Sequence, residues 1–219
     1  MTQKESDNTA RELAAREVFA PDAPSQLWRV QSGALRIDSA PQGDASRFVR
    51  LALPGDVVGV ERWAGTHEAL TQRALIASCL VPVAACGQEM MHILMETVVV
   101  AHQRCREVVT LRTGPAARRI QALLLMFAQS DEAWAWAGAG SVGQAAHDVA
   151  VPNLADLSDI LDVAPETVSR VFASLREQNF LQGRRPQKAR FSSQALRGLE
   201  IVTGMSTQLA PRKLSLTAA

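Results

Sequence analysis

Three side chains in one short stretch have the types and spacing needed to recognise DNA bases. Glu166, Ser169 and Arg170 fall on one face of a helix predicted for residues 165 to 178, close to its N-terminal end. An arginine can donate two hydrogen bonds to guanine, and a glutamate can accept one from cytosine. The opposite face is apolar, with Val168, Val171, Phe172 and Leu175. These residue types suit a recognition helix, and they also fit an ordinary amphipathic helix with a solvated face.

A second predicted helix precedes this one and would pack against its apolar face. Asn153 is a favourable N-cap, and Asp156, three residues later, can bond back to it. Apolar residues then follow at helical spacing, namely Leu154, Leu157, Ile160 and Leu161. Asp162 falls where the chain must turn sharply, and Pro165 suits the first position of the next helix. The sequence therefore predicts a helix-turn-helix from about residue 153 to 178.

A basic hairpin is predicted directly after the second helix. Phe180–Leu181 and Lys188–Phe191 read as strands on either side of a Gly-Arg-Arg-Pro turn. A hairpin beside a recognition helix is a wing that contacts the phosphate backbone. We expect phosphate contacts from Asn153, Arg184, Arg185, Lys188 and Arg190. Helix-turn-helix and wing together favour double-stranded DNA as the partner over a protein that docks on the helix pair.

A long helix is predicted from Gln88 to Arg112, and it carries two apolar stripes. The first has the steps of three and four residues that make a coiled-coil seam: Met91, Leu94, Val98, Ala101, Cys105 and Val108. The second, with Met90, Ile93, Thr97 and Val100, would cover the domain that precedes the helix. We expect the seam to face a second copy; the alternative is one broad face buried within a single chain. Cys105 then reads either as a small buried apolar residue or as a disulfide partner of its own copy.

The rest of the chain is organised around these helices. Short apolar runs predict a small antiparallel barrel or sandwich, with strands at Leu27–Val30, Ala34–Ile37, Phe48–Leu53, Val57–Val60 and Leu75–Val83. Other predicted elements are a short helix at Thr9–Val18, a helix at Ala116–Gln129, an irregular stretch at Asp131–Gln144 and a strand at Asp148–Val151. The predicted domains are residues 1–87, 88–112 and 113–205, with a flexible tail at 206–219.

Composition excludes several classes of protein. The 219 residues carry a formal net charge of +1, with three cysteines that are too widely spaced for a disulfide framework or a zinc site. No secretory signal and no apolar run long enough for a membrane helix is present, so we expect a cytoplasmic protein with no membrane partner. No Ser/His/Asp grouping, metal spacing or phosphate-binding loop indicates an enzyme.

The segment from Val151 to Leu181 resembles the helix-turn-helix signature of the Crp–Fnr family of bacterial transcription regulators, and residues 166–170 are its most specific part. Residues 27–36 and 53–59 resemble that family's cyclic-nucleotide-binding β-roll, and the long helix resembles its dimerisation helix. The resemblance implies an α+β fold with an N-terminal β-roll, a long dimerisation helix and a C-terminal winged helix-turn-helix. It also implies a homodimer that binds a palindromic promoter site and works with RNA polymerase as an activator.

The resemblance assigns the base-reading roles to Glu166, Ser169 and Arg170. Their Glu-x-x-Ser-Arg form resembles the Fnr-like branch, which implies a TTGA-type half-site with the arginine on guanine and the glutamate on its paired cytosine. Two positions of the helix-turn-helix depart from the family pattern. Ala164 replaces the usual Ser or Thr before the proline, which removes a helix cap, and Asp162 replaces the usual turn glycine.

The region that resembles the cyclic-nucleotide-binding β-roll departs further from the family pattern. Gly59 is followed by Val60 instead of the family's glutamate, and Glu61 and Arg73 lie nearby but out of register with the residues that hold cyclic AMP. We therefore expect no cyclic AMP binding through the usual residues. No cysteine precedes Cys79, so we expect no iron–sulfur cluster of the kind that the family holds with N-terminal cysteines.

We expect no cofactor, and the alternative is an unknown small effector or a haem held by His67, His92 or His102. The family's first strands have few counterparts before Leu27, so we also expect a shortened β-roll.

Overall fold

The first third of the chain folds into two facing antiparallel sheets. The structure is a computed structural model, and it describes residues 9–20, 26–39, 47–63, 70–138, 147–177 and 188–191. The strands of this part are β1 (Arg11–Leu13), β2 (Val18–Phe19), β3 (Trp28–Ser32), β4 (Leu35–Ser39), β5 (Arg47–Ala52), β6 (Val57–Val58), β7 (Leu70–Ala74) and β8 (Ser78–Pro82). One sheet has the order β1-β8-β3-β6 and the other β2-β7-β4-β5.

Both sheets contribute apolar side chains to the space between them. Alternation along the strands places these residues inside, and they include Leu13, Phe19, Trp28, Val30, Leu35, Ile37 and Leu80. The rings of Phe19 and Trp28 meet edge to face, with centroids 5.4 Å apart. The predicted strands of the barrel or sandwich are thus present, with small shifts at their ends.

The predicted helix at Thr9–Val18 is wrong, and two strands that the sequence did not indicate, β1 and β2, lie before Leu27. Strand β1 pairs with β8, and β2 pairs with β7. Arg16 turns the chain between them at φ 74°, and its N–H donates to the carbonyl of Ala74 at 2.7 Å. Exposed sheet edges offer a ladder of backbone hydrogen bonds, and here that tertiary pairing overrides local helical preference.

The strand predicted at Leu75–Val83 corresponds to β8 alone, because residues 75–77 form the turn that joins β8 to β7. Strand β7 was missed because its centre, Thr71-Gln72-Arg73, is polar. Gln72 nevertheless points inward, and only 2% of its surface is exposed. The turn is held by Ser78, whose hydroxyl accepts the Ala34 N–H at 3.1 Å and donates to the Ile76 carbonyl at 2.8 Å.

Helices dominate the remainder of the chain. Helix α1 (Val60–Trp63) is short, and the main elements are α2 (Gly87–Arg112), α3 (Ala116–Gly138), β9 (His147–Ala150), α4 (Leu154–Leu161), α5 (Pro165–Glu177) and β10 (Lys188–Phe191). Helix α3 continues to Gly138, so the irregular stretch predicted from Asp131 is helical over its first half. The predicted strand at Asp148–Val151 is β9, shifted by one residue, and it pairs antiparallel with β10.

A second apolar core joins the two halves of the molecule. Residues of β5 and its flanks, such as Phe48 and Leu53, pack with Leu111 of α2 and with the buried faces of α3, α4 and α5. Helix α2 is fixed further by Arg104, whose guanidinium donates to both carboxylate oxygens of Asp56, at 2.8 and 3.2 Å. The architecture is the predicted α+β one: a β-roll, a long helix and a C-terminal helix-turn-helix with a two-stranded sheet.

Candidate nucleic-acid interface

Helices α4 and α5 form a helix-turn-helix whose ends are fixed by local chemistry. The Asn153 side chain accepts the Asp156 N–H at 2.9 Å and so caps α4. Helix α4 ends at Asp162, which adopts the left-handed conformation at φ 51° and ψ 54°. Beyond the turn, Pro165 occupies the first position of α5, where its missing N–H leaves no donor unused. Each of these features agrees with its sequence prediction.

The predicted base-reading residues lie together on the exposed face of α5. Glu166, Ser169 and Arg170 are all exposed, as is Ala173 one turn further. The opposite face is buried against α3 and α4 through Val168, Phe172 and Leu175. The apolar back holds the helix in place, while the exposed face presents a carboxylate, a hydroxyl and a guanidinium. The carboxylate can accept a hydrogen bond from cytosine, and the guanidinium can donate two to guanine. The hydroxyl can bond to either a donor or an acceptor on a base edge.

The predicted phosphate-contacting residues are placed less uniformly. The Asn153 side chain is half-buried and engaged, because it caps α4 and its Nδ2 also donates to the Asp156 carboxylate at 2.6 Å. Lys188 and Arg190 lie on β10, which pairs with β9 beside the helix-turn-helix. Arg184 and Arg185, at the tip of the predicted hairpin, fall outside the described residues.

A pocket of about 320 Å³ opens between the start of α4 and the side of α5. Its floor is apolar, formed by Val151, Leu157 and Phe172, and its rim carries Asn153, Ser169 and Arg176. Sequence reasoning did not single out Arg176. The signal was available, since Arg176 follows Ser169 by two helical turns and so shares its face. A hydroxyl and a guanidinium at one rim have the chemistry to hold a phosphate oxygen.

The predicted seam of α2 divides into an exposed half and a half-buried one. Met91, Val98 and Cys105 are exposed, whereas Leu94 and Val108 pack partly against the cores of their own chain. The other predicted stripe faces inward, with Ile93 and Thr97 buried. The exposed apolar residues, which we call the α2 stripe, are Met91, Met95, Val98, Val99, Cys105 and Val109.

Three residues of the α2 stripe, Met91, Val98 and Cys105, also belong to the predicted seam, and two others fit a neighbouring heptad phase. Met95 and Val109 belong to it and were missed because His102 interrupts that phase with a polar residue. Val98 and Met95 are 60% and 66% exposed, which is unusual for apolar residues of this size. Contiguous apolar surface on an otherwise polar helix marks an interaction face.

The charged residues near the family's nucleotide-binding motif are already engaged within the chain. Glu61 accepts a hydrogen bond from buried Arg50 at 2.9 Å. Arg73 points away from the β-roll interior and donates to Asp156 of α4 at 2.5 Å. Neither side chain is therefore placed to bind the ribose or phosphate of a nucleotide between the two sheets.

Of the three histidines considered for haem binding, the structure describes two, and both lie on α2. His92 and His102 are exposed on α2, and His67 lies outside the described residues. No group of three potential metal ligands comes together within the described ranges. None of the helices described is long and apolar enough to cross a membrane.

The chain resembles known proteins in its structure rather than in its sequence. No protein-family model and no curated sequence matches the chain. A CRP-family transcriptional regulator from Thermus thermophilus, TTHB099, is 21% identical over 86% of this chain and 95% of its own, with a TM-score of 0.64. A CRP/FNR-family regulator of the same organism, TTHA1359, is 16% identical over 87% and 97%, with a TM-score of 0.58. FixK2 from Bradyrhizobium japonicum is 20% identical over 87% and 96%, with a TM-score of 0.61.

Proposed function

We propose that this chain, which has the fold of the CRP/FNR transcriptional regulators, is a dimeric, sequence-specific DNA-binding regulator of transcription. The observation that carries the proposal is the division of α5 into a buried apolar back and an exposed face with Glu166, Ser169 and Arg170. A helix that is to enter the major groove must be held from behind while its leading side chains stay accessible. Both conditions are met here.

The preferred half-site is of the TTGA type. Arg170 donates two hydrogen bonds to the guanine, Glu166 accepts one from the paired cytosine, and Ser169 contacts a neighbouring base. Arg176, at the rim of the pocket beside α4, holds a backbone phosphate. Lys188, Arg190 and the arginines at positions 184 and 185 add contacts to the phosphate backbone.

The second copy docks through the α2 stripe. Two parallel α2 helices would cover Met95, Val98 and their neighbours, and they would relate the two α5 helices by a two-fold axis. Such a dimer matches a palindrome whose half-sites lie about 34–36 Å apart along the DNA. Bound at a promoter, it acts as an activator by contacting RNA polymerase.

The β-roll does not bind cyclic AMP in the family's manner. The cyclic phosphate needs an arginine and a hydroxyl, and the ribose needs a carboxylate. The carboxylate and the arginine closest to those positions, Glu61 and Arg73, are held by Arg50 and Asp156.

A salt-dependent titration tests the proposal. A labelled duplex with a TTGA palindrome and a scrambled duplex are each titrated by fluorescence anisotropy between about 50 and 200 mM salt. We expect tighter binding to the palindrome at every salt concentration, and affinity for both that falls steeply as salt rises. Equal affinity for the two duplexes would overturn the sequence-specific role, and absence of binding to either would favour a protein-docking role for the helix pair.

A further inference from the structure

Two arginines lie side by side on the outer face of the β-roll. Arg36 on β4 and Arg73 on β7 are direct cross-strand partners. Like charges directly opposite one another destabilise a strand pair unless counter-charges are present. Asp38 supplies one of these, since it accepts the Arg36 Nε–H at 2.6 Å. The others come from outside the sheet.

Helix α4 supplies the missing negative charge. Arg73 donates to both carboxylate oxygens of Asp156, at 2.5 and 3.4 Å, and Arg36 forms an ion pair with Asp159. Arg36 and Asp156 are only 4% and 5% exposed. Burial alone would lower the pKa of Arg36, but hydrogen bonds to Asp38 and Asp159 outweigh it and raise the pKa above its ordinary value. Arg36 therefore stays charged, and a buried charge that loses its partner is strongly unfavourable.

The same carboxylate belongs to the start of the helix-turn-helix. Asp156 accepts a hydrogen bond from Asn153 Nδ2 at 2.6 Å, and its N–H donates to Asn153 Oδ1. The far end of α4 is tied to α2 by Arg112, which donates to the carbonyls of Asp159 and Ile160 at 3.1 and 3.3 Å. Helix α4 is thus held at both ends, by the β-roll through charge and by α2 through its backbone.

Resting on the proposed function, we propose that these charges form a latch that DNA binding requires to be closed. The α4 latch consists of Arg36, Arg73, Asp156 and Asp159. In the closed arrangement the reading residues of α5 and the α2 stripe are exposed at the same time. A palindrome demands a fixed separation of two recognition helices, so each must be rigid relative to the helix that forms the dimer. The latch provides that rigidity by fixing α4 to β4 and β7. The β-roll thereby controls the orientation of α5, the helix that carries the base-reading residues.

Opening the latch weakens DNA binding through a change of population. With the latch open, only the apolar core around Phe48 and Leu53 holds α4 on the β-roll, and only a fraction of molecules keeps α5 in the right orientation. The apparent Kd rises in inverse proportion to that fraction. The affinity falls although no residue that touches DNA has changed.

The experiment compares Asp156→Asn with Asp162→Asn in the full-length dimer. The first variant keeps an amide oxygen for the Asn153 side chain and the backbone cap, and it removes the charge that Arg73 binds. The control removes the same charge from an exposed turn position where asparagine tolerates the left-handed conformation. We expect Asp156→Asn to raise the Kd for the TTGA palindrome about tenfold or more, and Asp162→Asn to change it by less than about twofold. In small-angle scattering without DNA, Asp156→Asn should have a larger radius of gyration than the wild type, whereas Asp162→Asn should not.

Arg73→Gln opens the latch from the other side and covers the case in which Asp156→Asn fails to fold. Unchanged affinity and unchanged scattering in the folded variants would overturn the latch, and so would tighter binding, since a closed latch would then be inhibitory. A wild-type protein without preference for the palindrome would refute the proposed function instead. The scattering comparison would in that case still decide whether the charges hold the two halves together.

Discussion

Replacing Ala164 with serine should stabilise the protein. The Ala164 carbonyl accepts hydrogen bonds from the N–H groups of Thr167 and Val168, at 2.9 and 3.1 Å, so this residue is the N-cap of α5. Its methyl side chain cannot accept a bond from the second or third N–H of the helix, whereas Asn153 does so for α4 at 2.9 Å. An N-cap serine is worth about 1 kcal/mol over alanine. Because the Thr167 N–H already contacts the Ala164 carbonyl, we expect a gain of about 0.5–1 kcal/mol in the free energy of unfolding.

For a chain of this length, that gain corresponds to a Tm increase of about 1–4 °C. Thermal unfolding followed by circular dichroism measures it, at one fixed protein concentration because Tm depends on concentration for any chain that dimerises. Ala155→Ser is the matched control, because it places the same hydroxyl on an exposed position inside the first turn of α4. There serine is a poorer helix former, and Tm should stay level or fall slightly. A Tm for Ala164→Ser at or below that of the control would refute the capping argument.

Three further predictions concern other parts of the chain. Gly33→Ala should destabilise the protein by about 3 kcal/mol in urea unfolding, because φ is +86° and a Cβ would lie 2.5 Å from the Ala77 carbonyl oxygen; a loss below about 0.5 kcal/mol would contradict this. Burial and the charge of a nearby glutamate raise the pKa of the Cys79 thiol. Iodoacetamide at pH 8 should therefore modify Cys79 more slowly than exposed Cys86. Equal modification rates of the two thiols, measured by mass spectrometry, would contradict this prediction. Val98→Glu should convert dimer to monomer in sedimentation velocity, and an unchanged dimer would place the interface elsewhere.

The helix-turn-helix could be predicted from the sequence because its signals are local. The cap at Asn153, the left-handed turn at Asp162 and the proline at 165 each act within a few residues of their own position. The apolar back of α5 follows from helical spacing alone, and so does the exposed face. Every one of these features depends on short-range geometry, which the order of residues specifies directly.

The latch could not be predicted in the same way because its partners lie far apart in the chain. Arg73 and Asp156 are separated by 83 positions, and each reads locally as an ordinary solvated charge. Their pairing depends on how α4 packs on the outer face of β4 and β7. Strands β1 and β2 were missed for a similar reason, since they exist by completing sheets whose other strands come later in the sequence.

The α2 stripe shows an intermediate case. A heptad pattern was evident from the spacing, but two neighbouring phases fit the helix, and apolarity alone favoured the one through Leu94 and Val108. Packing against the chain's own cores half-buries those two residues and leaves Met95 and Val109 exposed instead. Which heptad phase stays exposed depends on where the β-roll packs against α2. The spacing of apolar residues along the helix does not carry that information.

A double-mutant cycle between the Arg170 side chain and the guanine of the half-site tests most directly the claim that α5 reads DNA bases. Wild type and Arg170→Ala are each titrated with the TTGA palindrome and with one whose guanine is replaced by adenine in both half-sites. We predict that the base change costs wild type about 1–3 kcal/mol per half-site and costs Arg170→Ala almost nothing, because the group that reads the guanine is gone. If the variant instead kept the full preference for guanine, α5 would not read this base through Arg170, which would contradict the proposed role of α5 as the recognition helix.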